Sequence, residues 1–401
     1  MEQTPSSYFC LFIFLSYFLS LACTLKKGSN LDEDIPYLLL TPGPLTTSRT
    51  VRRAMASDYS TWDSDYNIIV DQIRRSIVDL ATDRSDYTCT LVQGSGTFSV
   101  EATFGSVIPR NGKVLIISNG AYGSRMAQIA NRLTIDHVVV THRETEPPDL
   151  AKIERTLSEN RAISHIAMVH CETTTGMLNP ADQVGELAAE FGKTYILDAM
   201  SSFGGIPLTM ESTGADFLIS SANKCIQGVP GFGFVVAARS AMGRIIGQAR
   251  SLSLDLYDQW QEMEAKGGKW RYTSPTHVVC AFAQALKELH EEGGVIARHR
   301  RYSENHARLV AGMERLGFRA LLPPELQSPI ITSFHFPQDP RFEFKAFYDA
   351  MKSRRFVLYP GKVSDADCFR IGTIGHVFPD DISELLDCVS ATVKELGIQI
   401  G

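Results

Sequence analysis

The chain has 401 residues, of which 44% are apolar and 21% charged, so it can bury a sizeable core and has the composition of an ordinary globular protein. Its formal net charge of −6 gives no reason to expect nucleic acid or an anionic membrane surface as a partner. The eight cysteines form no CxxC or other metal-ligand spacing, which predicts no metal site. Several lie in apolar runs typical of reduced core thiols, which favours a reducing compartment, the cytoplasm.

Residues 1–36 differ from the rest of the chain. Positions 8–25 are nearly all apolar and are followed by Lys26 and Lys27, a pattern typical of a signal-peptide core or a short membrane anchor. No basic residue precedes the run, and Glu2 is acidic, which speaks against a signal peptide. A start codon assigned too far upstream is a third interpretation. We predict that the globular part begins at residue 37 and that a membrane is a partner only if the run is retained.

Strand and helix patterns alternate from residue 37 onward. An amphipathic helix is predicted at 67–82. Helical stripes at 98–104, 124–133, 151–159 and 181–191 follow apolar runs at 88–92, 113–118, 138–141 and 166–170. Repeated βα units of this length predict an α/β fold with a mostly parallel sheet flanked by helices. Loop residues at successive strand ends are then expected to gather at one edge of the sheet: Ser95, Gly96, Thr97, Tyr122, Thr173 and Asp198.

Two short loops are candidates for contact with a ligand through their main chain. At 41–44, Gly43 between two prolines lets a ligand approach closely, although an ordinary turn is the simpler interpretation. At 93–97, a Gly/Ser/Thr loop between a predicted strand and helix offers N–H groups and hydroxyls to an anion. This loop lacks the length and the lysine of a Walker loop, but it suits the single phosphate of a cofactor.

The strongest pattern lies between residues 195 and 233. Asp198 follows an apolar run at 195–197, and Lys224 comes 224 − 198 = 26 positions later, just after a second run at 217–219. At the carboxyl edge of a parallel sheet the two side chains can converge on one ligand. Pyridoxal phosphate needs such a pair, because a lysine forms the Schiff base and an aspartate keeps the pyridinium nitrogen protonated. A lone lysine is more often a surface group, but the small and apolar neighbours of Lys224 favour a closed site.

The remainder of the chain predicts a second, smaller domain. A strand at 234–237, a loop at 267–275 and helices at 278–291 and 295–316 lead into strands at 330–336, 356–359 and 369–371, with helices at 344–354 and 382–395. We place the boundary so that a large domain covers 37–294 and a small α+β domain covers 295–401. Arg370 lies inside one of the apolar runs, where a charged residue is rarely unpaired. It is either half of a structural ion pair or a bidentate clamp on a carboxylate or phosphonate.

Several long stretches resemble the class V aminotransferases, which have fold type I and use pyridoxal phosphate. The resemblance runs from about residue 37 to the C-terminus, and residues 1–36 fall outside it. The matching stretches include LLLTPGPLTTSRTV, NGAYGSRM, SHIAMVHCETTTGMLNP, DAMSSFGGIP, ISSANKCIQGVPGF, KWRYTSPTH and YPGKVSDADCFRIGTIG. The resemblance implies amino transfer between a phosphonate-bearing amine and pyruvate.

Three alternatives stay open at this point. An alanine–glyoxylate or serine–pyruvate type of transaminase has the same fold. A cysteine desulfurase would need a catalytic cysteine on a flexible loop, and Cys368 comes nearest to that setting. A cofactor-binding protein without turnover is the alternative from another class, and the presence of both Lys224 and Asp198 speaks against it.

The resemblance also implies a role for each matched position around the cofactor. Lys224 is implied as the Schiff-base lysine and proton carrier, and Asp198 as the partner of the ring nitrogen. The other implied cofactor contacts are Ser95, Gly96 and Thr97 at the phosphate, Asn223 near it, Tyr122 on the ring face and Thr173 at the ring hydroxyl.

The remaining implied contacts concern the substrate and a second subunit. Thr273 matches a residue that reaches the phosphate of the neighbouring subunit's cofactor, which implies a homodimer with shared active sites. Arg370 falls at the position of the substrate-carboxylate arginine. The main chain at Gly43 is a candidate for an additional contact with a phosphonate head group.

Overall fold

A computed structural model describes residues 36–361, 363 and 366–400 of the chain. The apolar run near the N-terminus, with its interpretations as signal peptide, anchor or upstream mis-start, lies outside the described residues. Within the described part, none of the helices combines the length and the apolarity needed to cross a bilayer. The cysteines of this part are free thiols, and the cytoplasmic location stays a prediction.

The helices follow the predicted pattern closely. Ser48 caps the first of them, since its hydroxyl accepts a hydrogen bond from the Val51 N–H. Gly293, with φ +105°, ends the helix Thr276–Glu292, as the sequence predicts. In chain order the helices are α1 (Arg49–Ala54), α2 (Ser64–Ala81), α3 (Gly96–Val107), α4 (Ala121–Arg132), α5 (Leu150–Glu159), α6 (Ala181–Glu190), α7 (Met210–Thr213), α8 (Arg239–Arg244), α9 (Leu256–Ala265), α10 (Thr276–Glu292), α11 (Gly294–Arg315), α12 (Phe344–Ser353) and α13 (Pro379–Glu395).

The strands explain why distant residues meet. They are β1 (Leu38–Leu39), β2 (Tyr87–Gly94), β3 (Lys113–Ser118), β4 (Asp136–Thr141), β5 (His165–Val169), β6 (Cys171–Glu172), β7 (Met177–Leu178), β8 (Thr194–Asp198), β9 (Phe217–Ser221), β10 (Gly231–Ala238), β11 (Ile331–His335), β12 (Phe356–Val357), β13 (Tyr359–Pro360) and β14 (Cys368–Gly372). The central sheet has the order β2-β10-β9-β8-β5-β3-β4. Neighbours in it are parallel except where β10 pairs with β2 and β9. The predicted mostly parallel sheet is therefore confirmed.

Apolar side chains cover both faces of this sheet. Alternate residues of β3 point to opposite sides: Leu115 and Ile117 pack in one core cluster, while Val114 and Ile116 pack in the other. Helices α2, α6 and α10 contribute to the first cluster, and α3, α4 and α9 to the second. A strand buried on both faces has a continuous apolar run, and such runs made it possible to predict these strands from the sequence.

Two helices begin earlier than the sequence pattern predicts. Helix α3 begins at Gly96 and α4 at Ala121, so Gly96, Thr97 and Tyr122 lie in first helical turns rather than in loops. Sequence reasoning also missed the β6–β7 ribbon and helices α8 and α9. Helix α4 begins early because Glu172, which lies 50 positions further along the chain, accepts a hydrogen bond from the Tyr122 N–H.

The first strand of the described chain and the residue after it are hydrogen-bonded to segments near the C-terminus. Strand β1 pairs in parallel with β12, and the Leu38 N–H donates to the Arg355 carbonyl at 2.8 Å. The Gly372 N–H donates to the Leu40 carbonyl at 2.9 Å. A separate antiparallel sheet, β11-β14-β13, carries Arg370. The division into domains 37–294 and 295–401 stays a prediction.

Candidate active site

A cavity lies at the carboxyl edge of the central sheet. Its walls come from the segments that follow β2, β3, β5, β8 and β9, as expected for side chains at the ends of parallel strands. The structure brings these predicted site residues together in its lining: Ser95, Gly96, Thr97, Tyr122, Asp198, Asn223 and Lys224.

Lys224 lies in a tight turn after β9 and points into the cavity. Its Nζ donates a hydrogen bond to the carbonyl oxygen of Pro42 at 2.8 Å. A Cβ atom at Gly43 would lie 2.7 Å from this Nζ, and the φ of +122° at that position also favours glycine. Burial lowers the pKa of Lys224 to about 8, because the ammonium form loses its hydration. A substantial share of the amine is thus neutral near pH 8 and able to act as a nucleophile or base.

Asp198 is the last residue of β8 and is buried. Its Oδ1 accepts a hydrogen bond from the Met200 N–H at 2.8 Å, while Oδ2 has no hydrogen-bond partner among the described residues. Burial raises the pKa of Asp198 to about 6. A cationic ring nitrogen in the cavity would stabilise the carboxylate and lower this pKa again.

The first turn of α3 forms a cradle for an anion. Ser95 is the N-cap residue, but its hydroxyl makes no capping hydrogen bond and is left for another partner. The N–H groups of Gly96 and Thr97 belong to the first turn, where a helix leaves its donors unsatisfied. A Cβ atom at Gly96 would lie 2.3 Å from the Met200 sulfur, so a larger residue at this place would displace the Met200 side chain. The donor set fits one phosphate group.

Sequence reasoning missed Arg125 and Glu172. Arg125 lies one turn after Tyr122 on α4, and its guanidinium carbon is 5.0 Å from the centre of the Tyr122 ring. The i, i+3 spacing was the signal that could have revealed it. Glu172 is buried, accepts the Tyr122 N–H at 3.1 Å and accepts the Thr174 hydroxyl at 2.8 Å. It therefore holds the helix that presents Tyr122 against the loop that carries Thr173.

Thr173 and Arg370 meet beside the cavity. Thr173 is fully buried, and its hydroxyl has no hydrogen-bond partner among the described residues. Its carbonyl accepts a hydrogen bond from Arg370 Nη1 at 2.7 Å, while Arg370 Nε donates to the Pro360 carbonyl at 2.9 Å. The guanidinium lies 4.8 Å from the centre of the Tyr359 ring. Arg370 thus packs between carbonyls and an aromatic ring.

No carboxylate of the described residues forms an ion pair with Arg370, so the structural ion pair considered from the sequence is absent from that part of the chain. Burial lowers the pKa of Arg370 below its ordinary value. A buried guanidinium without an ionic partner favours the alternative, an arginine that clamps an anion.

Thr273 is not part of this cavity. It lies in the loop before α10 and is exposed. Its predicted contact, at the phosphate of a neighbouring subunit's cofactor, is compatible with that exposure and stays a prediction.

Comparison with known proteins gives a consistent result. Residues 48–350 match the family model described as aminotransferase class-V. A 2-aminoethylphosphonate–pyruvate transaminase of Syntrophobacter fumaroxidans is 58% identical over 362 residues, which cover 90% of this chain and 98% of the relative. A protein of the same name from Vibrio vulnificus is 60% identical over 354 residues, covering 88% and 96%. The crystal structure of a ureidoglycine–glyoxylate aminotransferase from Bacillus subtilis shares the fold, with a TM-score of 0.83 at 21% identity over 93% of this chain and 96% of that one.

The sheet order and the placement of the lysine and aspartate at its carboxyl edge define an α/β protein of fold type I. The chain belongs to the class-V aminotransferase family, and the resemblance inferred from the motifs is confirmed. The two curated relatives, which the chain matches at high identity over almost their full length, are both named 2-aminoethylphosphonate–pyruvate transaminase.

Proposed function

We propose that the protein transfers the amino group of 2-aminoethylphosphonate to pyruvate, giving phosphonoacetaldehyde and L-alanine in the degradation of phosphonates. Pyridoxal 5′-phosphate is the proposed cofactor. The observation that carries the amino-transfer chemistry is the convergence of Lys224 and Asp198 in one cavity beside an anion cradle. The substrate pair is taken from the shared name of the two curated relatives.

The cavity fits this cofactor residue by residue. The Ser95 hydroxyl and the first-turn N–H groups of α3 would hold the phosphate, with Asn223 nearby. The orphaned Thr173 hydroxyl would donate to the ring hydroxyl, and the Tyr122 ring would cover one ring face. The open Oδ2 of Asp198 would accept the N–H of the ring nitrogen. When bound, the cofactor would supply an electron sink for the carbon that bears the amino group.

Two side chains of the protein carry the chemistry, Asp198 through its charge and Lys224 as the general base. Asp198 keeps its charge next to the ring nitrogen, while Met200 fixes its orientation through Oδ1 at 2.8 Å. Lys224 Nζ takes the proton from the substrate carbon that bears nitrogen and holds it as an ammonium group, from which it can be returned on the same side of the site. Its pKa of about 8 allows both the neutral and the protonated amine to exist near neutral pH, as a general base needs.

Arg370 is the proposed anchor for the acidic end of both substrates. A guanidinium fork donates hydrogen bonds to two oxygens of a planar carboxylate or of a tetrahedral phosphonate. The fork alone discriminates poorly between them, so the preference for a phosphonate needs further donors, for which the main chain near Gly43 is a candidate. Cys368, the residue considered for a desulfurase, is the buried first residue of β14 and not part of an exposed loop.

A panel of amino donors tests the proposed substrates. The cofactor-loaded protein is assayed with 2-aminoethylphosphonate, 2-aminoethylsulfonate, alanine and serine, each with pyruvate or glyoxylate as acceptor. We expect 2-aminoethylphosphonate with pyruvate to give the highest kcat/KM by orders of magnitude. If serine or alanine with glyoxylate is the best pair, the protein is an alanine–glyoxylate or serine–pyruvate type enzyme, although Lys224 and Asp198 keep their roles.

Arg370→Lys is the matched variant for the same panel. Lysine keeps the positive charge but has no fork, so kcat/KM for both 2-aminoethylphosphonate and pyruvate should fall by the roughly 1.5–3 kcal/mol of a charged hydrogen bond, about 10- to 150-fold. Unchanged kinetics with both substrates would show that another group binds the anions.

A homodimer with shared sites is the proposed assembly. An exposed apolar surface adjoins Thr273 in the chain: its neighbour Tyr272 is 49% exposed, and Phe98, which lines the same groove as Tyr272, is 51% exposed. Phe98 also lies in the first turn of α3, next to the anion cradle. A second copy that covered this surface would bring its own Thr273 towards the cradle. Sedimentation of the cofactor-loaded protein is expected to give the mass of two chains, and Phe98→Asp is expected to lower it; a monomeric wild type would overturn this assignment.

A further inference from the structure

Helix α11 carries polar side chains on a buried face, where an amphipathic helix normally has apolar ones. Arg298, Arg301, Tyr302 and Asn305 follow one another at helical spacing, and we call them the polar face of α11. Three of them are buried, with exposed fractions of 2% for Arg298 and 0% for Tyr302 and Asn305. Burial of polar groups costs free energy unless they are hydrogen-bonded, so the partners of this face indicate its purpose.

Two members of the polar face bind the carbonyl of Cys225, the residue that follows Lys224. Arg298 Nη1 donates to the Cys225 carbonyl at 2.7 Å, and the Tyr302 hydroxyl donates to the same oxygen at 3.1 Å. Glu292 accepts Arg298 Nε at 2.6 Å and keeps the guanidinium in place. The turn that carries Lys224 is therefore fixed by two donors at a single oxygen atom.

The other two members hold the segment that follows the strand of Arg370. Arg301 Nη1 donates to the carbonyls of Gly375 at 2.9 Å and Val377 at 2.6 Å. Asn305 Nδ2 also donates to the Val377 carbonyl, at 3.0 Å. Because β14 runs directly into this segment, these bonds limit the movement of Arg370 relative to α11.

The Tyr302 hydroxyl joins the two sets of contacts. It accepts hydrogen bonds from the Gln227 side chain at 2.7 Å and from the Gly375 N–H at 3.3 Å while it donates to Cys225. We propose that the polar face of α11 is a positioning device that fixes Lys224 relative to Arg370, so that the reacting amine stays aligned with a substrate held by its acidic end. This inference rests on the roles proposed above for those two residues.

The physical reason is the sensitivity of proton transfer to alignment. A displacement of about 1 Å by a change far from the chemistry can cost on the order of 10²-fold in rate. After burial, the largest electrostatic influences on the pKa of Lys224 come from Cys225, Asp198, Cys171 and Arg370. None of these belongs to α11, so a change in that helix reaches the amine through the position of the turn.

The test compares two buried arginines that share one type of ion pair and one type of backbone hydrogen bond. Arg298 pairs with Glu292 and donates to a backbone carbonyl at 2.7 Å. Arg74 pairs with Glu264 and donates from Nε to the Cys89 carbonyl, also at 2.7 Å, but that carbonyl belongs to β2 and not to the turn that carries Lys224. Arg298→Met and Arg74→Met should lower the temperature of unfolding to a similar extent, and only the first should change the reactivity of Lys224.

Reactivity is measured on the ligand-free full chain by labelling with acetic anhydride over a range of pH, with Lys224 followed by peptide mass mapping. The pH at which labelling of Lys224 is half-maximal reports the pKa of its amine. In Arg298→Met this pKa should rise from about 8 towards the ordinary value of 10.5, because a loosened turn lets water reach the amine. In the loaded protein, kcat should fall by roughly 10²-fold, with KM for 2-aminoethylphosphonate nearly unchanged, because Arg370 is held by other bonds.

Tyr302→Phe is the second variant, in case replacement of the buried Arg298 prevents folding. It removes one hydroxyl group and no charge. We expect the same direction of effect with a smaller size. If both variants label and turn over like Arg74→Met, the positioning role is wrong. If wild-type protein forms no covalent cofactor adduct at Lys224, the proposed function fails first, so the two failures are distinguishable.

Discussion

Lys224→Ala is expected to abolish covalent attachment of the cofactor and reduce turnover to near the background. Loss of the proton-transfer group alone accounts for roughly 10²- to 10⁴-fold, and loss of the attachment point adds to this. The amine, hydrogen-bonded to the Pro42 carbonyl at 2.8 Å, has no neighbouring lysine in the cavity lining that could replace it.

The measurement is borohydride trapping followed by peptide mass mapping, together with steady-state rates. Lys287→Ala is the control, because Lys287 is an exposed partner of Glu291 on α10 and such pairs contribute little. Added small primary amines should restore part of the Lys224→Ala rate, which a merely structural lysine would not permit. A cofactor adduct on another lysine of the wild type would refute the assignment.

Asp198→Asn is expected to keep the fold and lose about 10²- to 10³-fold in kcat, the usual effect of removing one electrostatic catalytic group. The amide oxygen can still accept the Met200 N–H, so the local geometry is kept, but a neutral side chain cannot hold the ring nitrogen in its protonated form. Asp216→Asn is the matched control, because that carboxylate also accepts a backbone N–H, from Tyr195 at 2.8 Å, away from the cavity. A kcat close to wild type for Asp198→Asn would exclude the role.

Asp198→Asn and Asp216→Asn also test how cofactor affinity depends on pH. Because the pKa of Asp198 is raised to about 6 in the ligand-free protein, the carboxyl group takes up a proton as pH falls through that value. A neutral acid cannot pair with a cationic ring, so wild-type affinity for the cofactor should decrease below about pH 6. Equilibrium titration should show this decrease in the wild type and in Asp216→Asn, and little of it in Asp198→Asn.

Much of this site was predictable because its key residues follow apolar strands that are buried on both faces. Strand β3 has the predicted bounds, and Asp198 and Lys224 stand where the apolar runs placed them. The start of α4 was not predictable, since its first turn is held by Glu172 from a different part of the chain. The polar face of α11 was missed for a similar reason: Arg298 in a helical stripe is read as solvent-facing, and its partner carbonyl at Cys225 is visible only in three dimensions.

The pairing of β1 with β12 has a consequence for how the chain matures during synthesis. The first described strand is made well before its partner, which lies more than three hundred positions later, so the intervening chain must be synthesised before the two can meet. The carbonyl of Pro42 that receives Lys224 follows directly on that strand and arrives at its final place equally late. Long-range pairings of this kind close slowly because the loop entropy must be overcome first. Nascent chains that stop short of residue 356 should therefore lack a finished pocket, and uptake of the cofactor would mark chains that extend past the β1–β12 pairing.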